Sequence, residues 1–109
     1  MKAVIYARTA TKVRTESSRS IRAQTGAARQ YGQANGFDIA EVFTDAGSSG
    51  TRLERPALNK MRRMIARDSI DAVIVRDLSR LSRSVTDTLT LQREFARCST
   101  QVRCVLCLP

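Results

Sequence analysis

Two apolar runs constrain this chain more than any other feature. Ala3-Val-Ile-Tyr-Ala7 and Asp71-Ala-Val-Ile-Val75 show no alternation of apolar and polar side chains. A strand that is apolar on both faces is buried on both faces, the condition of a parallel sheet covered by helices. Parallel neighbours need long crossovers, and the segments between the strands read as helices. Ser20 is a cap residue for a helix running to about Asn35, with Gly36 as its C′ residue. Ile21, Ala27, Ala28, Tyr31 and Ala34 form its small apolar face. Thr11 to Arg19, rich in hydroxyls and charge, reads as an exposed loop.

The remaining elements follow in the same rhythm. Phe37 to Thr44 alternates as a second strand, and Asp45-Ala-Gly-Ser-Ser-Gly-Thr-Arg52 is a loop with two glycines. Arg55-Pro56 opens a second helix, since proline is tolerated in the first helical turn. A polar connection from Arg76 to Ser84 leads into a third helix, Val85 to Arg97, with Val85, Leu89, Phe95 and Ala96 as expected core contacts. Val102 to Leu108 is a fourth strand. The expected fold class is α/β: one domain, a mostly parallel four-stranded sheet with helices on both faces, in the order βαβαβαβ.

Ligands of such sheets bind beyond the carboxyl ends of the strands, and every strand-to-helix loop leaves from that edge. The first loop brings Arg8, the second Asp45, Ser48, Ser49, Arg52 and Arg55, the third Arg76, Arg80 and Arg83. So many like charges repel unless an anion sits among them. For any one arginine, pairing with Asp45, Glu54 or Asp77 or pointing into solvent is the plainer reading; for the cluster, phosphate binding is favoured. Whole-chain charge agrees: net +9 over 109 residues, carried by sixteen Arg and three Lys. Arginine forks bidentately onto phosphate, and a polyanion such as nucleic acid is the expected partner.

Several alternatives are set aside. Gly47-Ser-Ser-Gly50-Thr lacks the frame of a P-loop, and no G-x-G-x-x-G follows the first strand, so no nucleotide cofactor is expected. Asp45, Asp71 and Asp77 are scattered and the chain has no His, so no metal is expected. No apolar run is long enough to span a membrane. Cys98, Cys104 and Cys107 fall near the end, the latter two with CxxC spacing. On a strand such residues face opposite ways, and all three are expected as reduced, packed thiols in a cytoplasmic protein.

Six segments in order resemble the serine recombinase (resolvase/invertase) catalytic domain. They are Tyr6-Ala-Arg8; Ser20-Ile-Arg-Ala-Gln24; Phe43-Thr-Asp45-Ala-Gly-Ser-Ser-Gly50-Thr; Arg55-Pro-Ala-Leu58; Ile70-Asp-Ala-Val-Ile-Val75; and Leu78-Ser-Arg80-Leu-Ser-Arg83. The polar stretch before Ser20 and the Ser-Gly-Thr and Arg-Pro-Ala-Leu elements look closer to the large serine recombinases. The resemblance implies attack of a serine on a DNA phosphodiester, a covalent phosphoserine link and strand exchange in a tetramer, with neither metal nor nucleotide. It implies that Arg8, Arg55, Arg80 and Arg83 bind the phosphate, and that Tyr6, Gln24, Asp45, Ser49 and Ser79 support them.

Two positions depart from the pattern. The family's Tyr-x-Arg-x-Ser places its nucleophile at position 10, which is Ala10 here, and alanine forms no phosphoester. Thr9 and Thr11 flank it, but neighbours on an extended exit point the other way. Ser79 stands where the family commonly has Asp. The resemblance also implies a long dimerisation helix and a separate DNA-binding domain beyond residues 1–109, which reads the chain as a truncated catalytic domain. The expected function is recombinase chemistry inactivated at Ala10. The alternative is a non-catalytic, DNA-associated or oligomerising module that pairs with an active recombinase, and a generic basic nucleic-acid binder is the third reading.

Overall fold

The computed structural model describes residues 1–10, 13–47 and 55–106. Its elements are β1 (Lys2–Arg8), α1 (Arg14–Ala34), β2 (Asp38–Asp45), α2 (Pro56–Arg67), β3 (Ala72–Val75), α3 (Val85–Arg97) and β4 (Gln101–Cys104). A single 3₁₀ turn, Leu78–Arg80, interrupts the path from β3 to α3. The sheet order is β2-β1-β3-β4 and every pair is parallel. From β1 the chain moves to one side of the sheet, and from β2 and β3 it moves the other way. Right-handed crossovers then put α1 on one face and α2 and α3 on the opposite face.

The two faces have separate cores, because alternate β1 residues point oppositely. Val4 and Tyr6 pack with Leu58, Met61 and Ile65 of α2 and Leu91 and Phe95 of α3. Ala3 and Ile5 pack with Ala28 of α1, Phe37, Ala72 and Ile74. All of Ala3 to Ala7 and Ala72 to Val75 is inaccessible to solvent, as the unbroken apolar runs require. The fold class is the expected one.

Several boundaries and faces differ from the sequence reading. α1 begins at Arg14, so most of the stretch read as a loop is helix, and Ser20 lies inside it rather than at its cap. The buried stripe of α1 is Ser17, Gln24, Ala28 and Gly32, while Ala34 is exposed. Polar residues take inward positions there because each has a partner. Asn35 closes the helix, and Gly36 follows with φ of 77°, the left-handed conformation expected of a C′ glycine.

On α3 the buried residues are Thr88, Leu91 and Phe95, whereas Val85 is 75% and Leu89 47% exposed, contrary to expectation. The Thr88 hydroxyl donates to the Ser82 carbonyl at 3.2 Å, which satisfies it at its inward position. β4 ends at Cys104, earlier than expected, and the chain bends at 105–106. Cys98 is a free thiol, but Cys104 is disulfide-bonded, correcting the expectation of reduced cysteines at that position. Strand alternation, on which that expectation rested, stops where β4 stops.

Candidate functional site

Strand order reverses at β1, so the carboxyl ends of β1 and β3 flank the topological switch point where α/β sheets bind ligands. Arg8 ends β1, and the 3₁₀ turn carrying Ser79 and Arg80 follows β3. The two segments clasp one another. Arg8 Nε donates to the Arg80 carbonyl at 3.1 Å and Arg8 Nη2 to the Ser79 carbonyl at 2.8 Å. In return Arg80 Nη1 donates to the Arg8 carbonyl at 3.2 Å. Arg55, the residue before α2, adds Nη1 to the same Arg80 carbonyl at 3.1 Å and Nη2 to the Leu81 carbonyl. Three arginines from three loops thus meet at one peptide.

Arg8 and Arg55 are fully buried, at 0% and 2% exposure, whereas Arg83 is exposed. Burial, and then the neighbouring Arg55 charge, pulls the Arg8 guanidinium below its usual pKa, and burial does the same to Arg55. Arginine starts so high that both remain cationic at neutral pH. Among the described residues, Nε of Arg55 and Nε of Arg80 are buried without a hydrogen-bond partner. Arg80 Nε lies 3.6 Å from Asp77 Oδ2, an ion-pair distance too long for a good hydrogen bond.

Asp45 ends β2 and organises the ground beneath Arg55. Its Oδ1 accepts from the Ala57 amide at 2.9 Å, and its Oδ2 accepts from the Leu58 amide at 3.0 Å and from the Tyr6 hydroxyl at 2.7 Å. The carboxylate therefore satisfies two of the donors that the start of α2 leaves open. Burial and the bond to Asp45 push the Tyr6 hydroxyl well above the ordinary tyrosine pKa, so it stays a donor. The Tyr6 ring lies beneath Arg55, with Cζ 5.5 Å from its centroid.

The exit of β1 is held from the α1 side. Gln24 accepts from the Arg8 amide at 3.1 Å and donates to the Arg8 carbonyl at 3.0 Å, and it also donates to Ser20 Oγ at 3.0 Å. Thr9 is buried; its hydroxyl lies 2.7 Å from Ser17 Oγ and accepts from the Gly47 amide at 3.2 Å. That hydroxyl is engaged and turned inward. Ala10 is exposed immediately after it.

The sequence-predicted residues Arg8, Gln24, Arg55, Ser79 and Arg80 are thus connected through hydrogen bonds, and the hydrogen-bonded pair Tyr6 and Asp45 joins them through the Tyr6 ring beneath Arg55. Arg83 lies close enough for its charge to act on Arg8. Ser79 contributes its carbonyl, while its hydroxyl bonds Asp77. Ser48, Ser49, Arg52, Glu54 and Thr11 lie outside the described residues. Ser17 and Ser20 were missed as contributors. The spacing of Ser17, Gln24, Ala28 and Gly32 on one helical face was the available signal, had polar residues been allowed to face the sheet. Among the described residues no group of three His, Cys, Asp or Glu side chains is placed to hold a metal, and no helix is long and apolar enough to cross a membrane.

Comparison with known proteins decides the lineage. The family model of the resolvase N-terminal domain matches residues 3–106. The chain belongs to this family. The N-terminal catalytic domain of TP901-1 integrase superposes with a TM-score of 0.89 and 37% identity, over 96% of this chain and 78% of that one. A resolvase family site-specific recombinase from Streptococcus pneumoniae gives 0.83 and 28%, over 96% and 72%. A Bacillus subtilis (strain 168) protein named "Putative DNA recombinase" is 34% identical over 93 residues, 85% of this chain and 18% of its own length. By family and by fold the chain belongs with the catalytic domains of serine recombinases, and it spans less than a fifth of that Bacillus relative.

Proposed function

We propose that this domain binds DNA through the phosphate backbone at the carboxyl edge of its sheet and, as Ala10 stands, does not cut it. The observation that carries the reading is the meeting of Arg8, Arg55 and Arg80 at the Arg80 peptide beside a position 10 with no side-chain acceptor or nucleophile. The half-buried Arg80 and the exposed Arg83 bring guanidinium charge to that edge, which favours an anion there. Arg80 and the exposed Arg83 contact the phosphate from the third loop. Arg8 and Arg55 supply positive potential from below while bracing that loop. Tyr6, Gln24, Asp45 and Ser79 are positioning residues.

In the family's chemistry a hydroxyl oxygen attacks phosphorus, the O–P bond to the protein forms, and the bond to the deoxyribose oxygen breaks. Alanine supplies no such oxygen. Loss of a covalent nucleophile costs on the order of a millionfold in turnover. Thr9 offers no replacement, since its hydroxyl is held by Ser17 and Gly47. The domain is the catalytic portion of a longer cytoplasmic recombinase that dimerises and tetramerises on DNA, with no metal or nucleotide required.

The test compares the native chain with Ala10→Ser, each placed in a full-length recombinase context with its cognate duplex. Denaturing gels are expected to show covalent protein–DNA adducts for Ala10→Ser alone, with comparable non-covalent binding by both. Adducts formed by the Ala10 protein, or none by Ala10→Ser despite binding, would overturn the reading.

A further inference from the structure

α1 carries a basic ridge that the site at the sheet edge does not use. The helix has 21 residues, four of them arginines (Arg14, Arg19, Arg22 and Arg29), and Glu16 is its single acid. At 3.6 residues per turn, Arg19, Arg22 and Arg29 fall on one stripe, opposite the buried Ser17, Gln24, Ala28 and Gly32. All three are exposed, and among the described residues none of their guanidinium groups makes an ion pair or hydrogen bond. Gly26 lies on the same stripe, and a Cβ built there would meet nothing within 4 Å. Its φ needs no glycine and no neighbour crowds it. The bare backbone at Gly26 lets an outside surface come close between the arginines.

We infer that the exposed face of α1 is a second, sequence-independent contact for the sugar–phosphate backbone of duplex DNA, continuing outward from the β1 exit. This rests on the proposal that DNA is the partner. From Arg19 to Arg29 the helix rises about 15 Å, the length of about four phosphates along one strand of a duplex. A straight helix presents these charges as a rigid row, matched to a stiff partner. Single-strand binding uses aromatic stacking platforms, and this stripe has none.

The experiment measures binding of the whole chain to a fluorescent random-sequence duplex by anisotropy between 50 and 200 mM salt. Arg19→Gln/Arg22→Gln/Arg29→Gln is compared with the charge-matched control Lys60→Gln/Arg63→Gln/Arg67→Gln on α2, all exposed. Losing three phosphate contacts should flatten the log K against log salt slope by about 2.7, so that the salt-induced loss of affinity over this range shrinks about 40-fold. The control should keep the native slope. An unchanged slope in the α1 variant, or an equal change in the control, overturns the ridge while leaving the edge site standing. A larger effect on single-stranded DNA than on the duplex overturns the duplex assignment. If the native chain shows no salt-dependent duplex binding at all, this inference and the proposed function fall together.

Discussion

Replacing Asp45 by alanine should cost far more than the loss of an ordinary surface carboxylate. Asp45 is buried, at 5% exposure, and accepts three hydrogen bonds, from Tyr6 and from the Ala57 and Leu58 amides. Removing a helix-capping carboxylate costs about 1 kcal/mol. Stranding a buried hydroxyl such as that of Tyr6 costs a further 1–3 kcal/mol or so. Together these give about 3 kcal/mol, before counting the loss of negative charge near Arg55, which raises the figure. The total stability of a domain of this size is roughly 5–15 kcal/mol, so the loss is a large share of it.

Urea unfolding followed by circular dichroism reads this directly. With a slope of about 1.5 kcal/mol per molar, the midpoint should fall by about 2 M. A double-mutant cycle isolates the cause. Tyr6→Phe in the native background breaks a good hydrogen bond, whereas in Asp45→Ala it removes a hydroxyl that already lacks its partner. The two changes should therefore be less than additive by about 1 kcal/mol or more. A loss below about 1 kcal/mol for Asp45→Ala, or strict additivity of the pair, would refute Asp45 as the clamp between β1 and α2.

The glycines of α1 should respond unequally. Gly26→Ala should raise the melting temperature by about 4–8 °C, since it gains about 1 kcal/mol of helix propensity in open space. At Gly32 a new Cβ would lie 3.0 Å from Ile39 Cδ1 and 3.2 Å from Ile74 Cδ1, so those side-chain ends must give way and Gly32→Ala should gain less than Gly26→Ala by scanning calorimetry. Tyr6 predicts alkaline sensitivity. Because its folded pKa is raised, its contribution is complete below the unfolded value of about 10 and is lost as pH climbs beyond it. Native stability should therefore fall about 1.4 kcal/mol per pH unit more steeply than that of Tyr6→Phe above about pH 10, measured by urea titration. Arg8→Met should cost about 2–4 kcal/mol with no DNA present, because it strips charged donors from the Ser79 and Arg80 carbonyls. Arg83→Met, at an exposed position, should stay within about 0.5 kcal/mol by the same measurement.

What could be read from the sequence depended on how local the cause was. The α3 boundaries coincide with the expected Val85–Arg97, since Ser84 accepts from the Asp87 amide, a cap written within four residues. β1 and β3 announced themselves through their apolar runs. The early start of α1 was hidden because its first turn packs through Ser17, a polar residue whose inward hydroxyl is satisfied by Thr9 at the β1 exit. The outward turn of Val85 and Leu89 was hidden likewise, since Thr88 takes the buried position through its bond to Ser82. The loops were read as delivering arginines to one edge, and the structure brings Arg8, Arg55 and Arg80 together. Their burial was not legible. The carbonyls that satisfy Arg8 lie some seventy residues along the chain, and no local pattern carries that information.

That burial changes what the arginines mean. Arg8 and Arg55 each donate to main-chain carbonyls of the turn after β3, so the fold depends on them whether or not a phosphate is cut nearby. A buried cation cannot be truncated cheaply once its partners are fixed carbonyls, because the carbonyls are stranded with it. The constraint on these residues is therefore the same whichever residue stands at position 10. A protein with alanine at position 10 keeps its arginine scaffold for structural reasons alone. The side chains free of that duty are Arg83 and the residue at position 10 itself, both exposed. Under the proposed function it is there, and not in the buried arginines, that binding and cleavage part company.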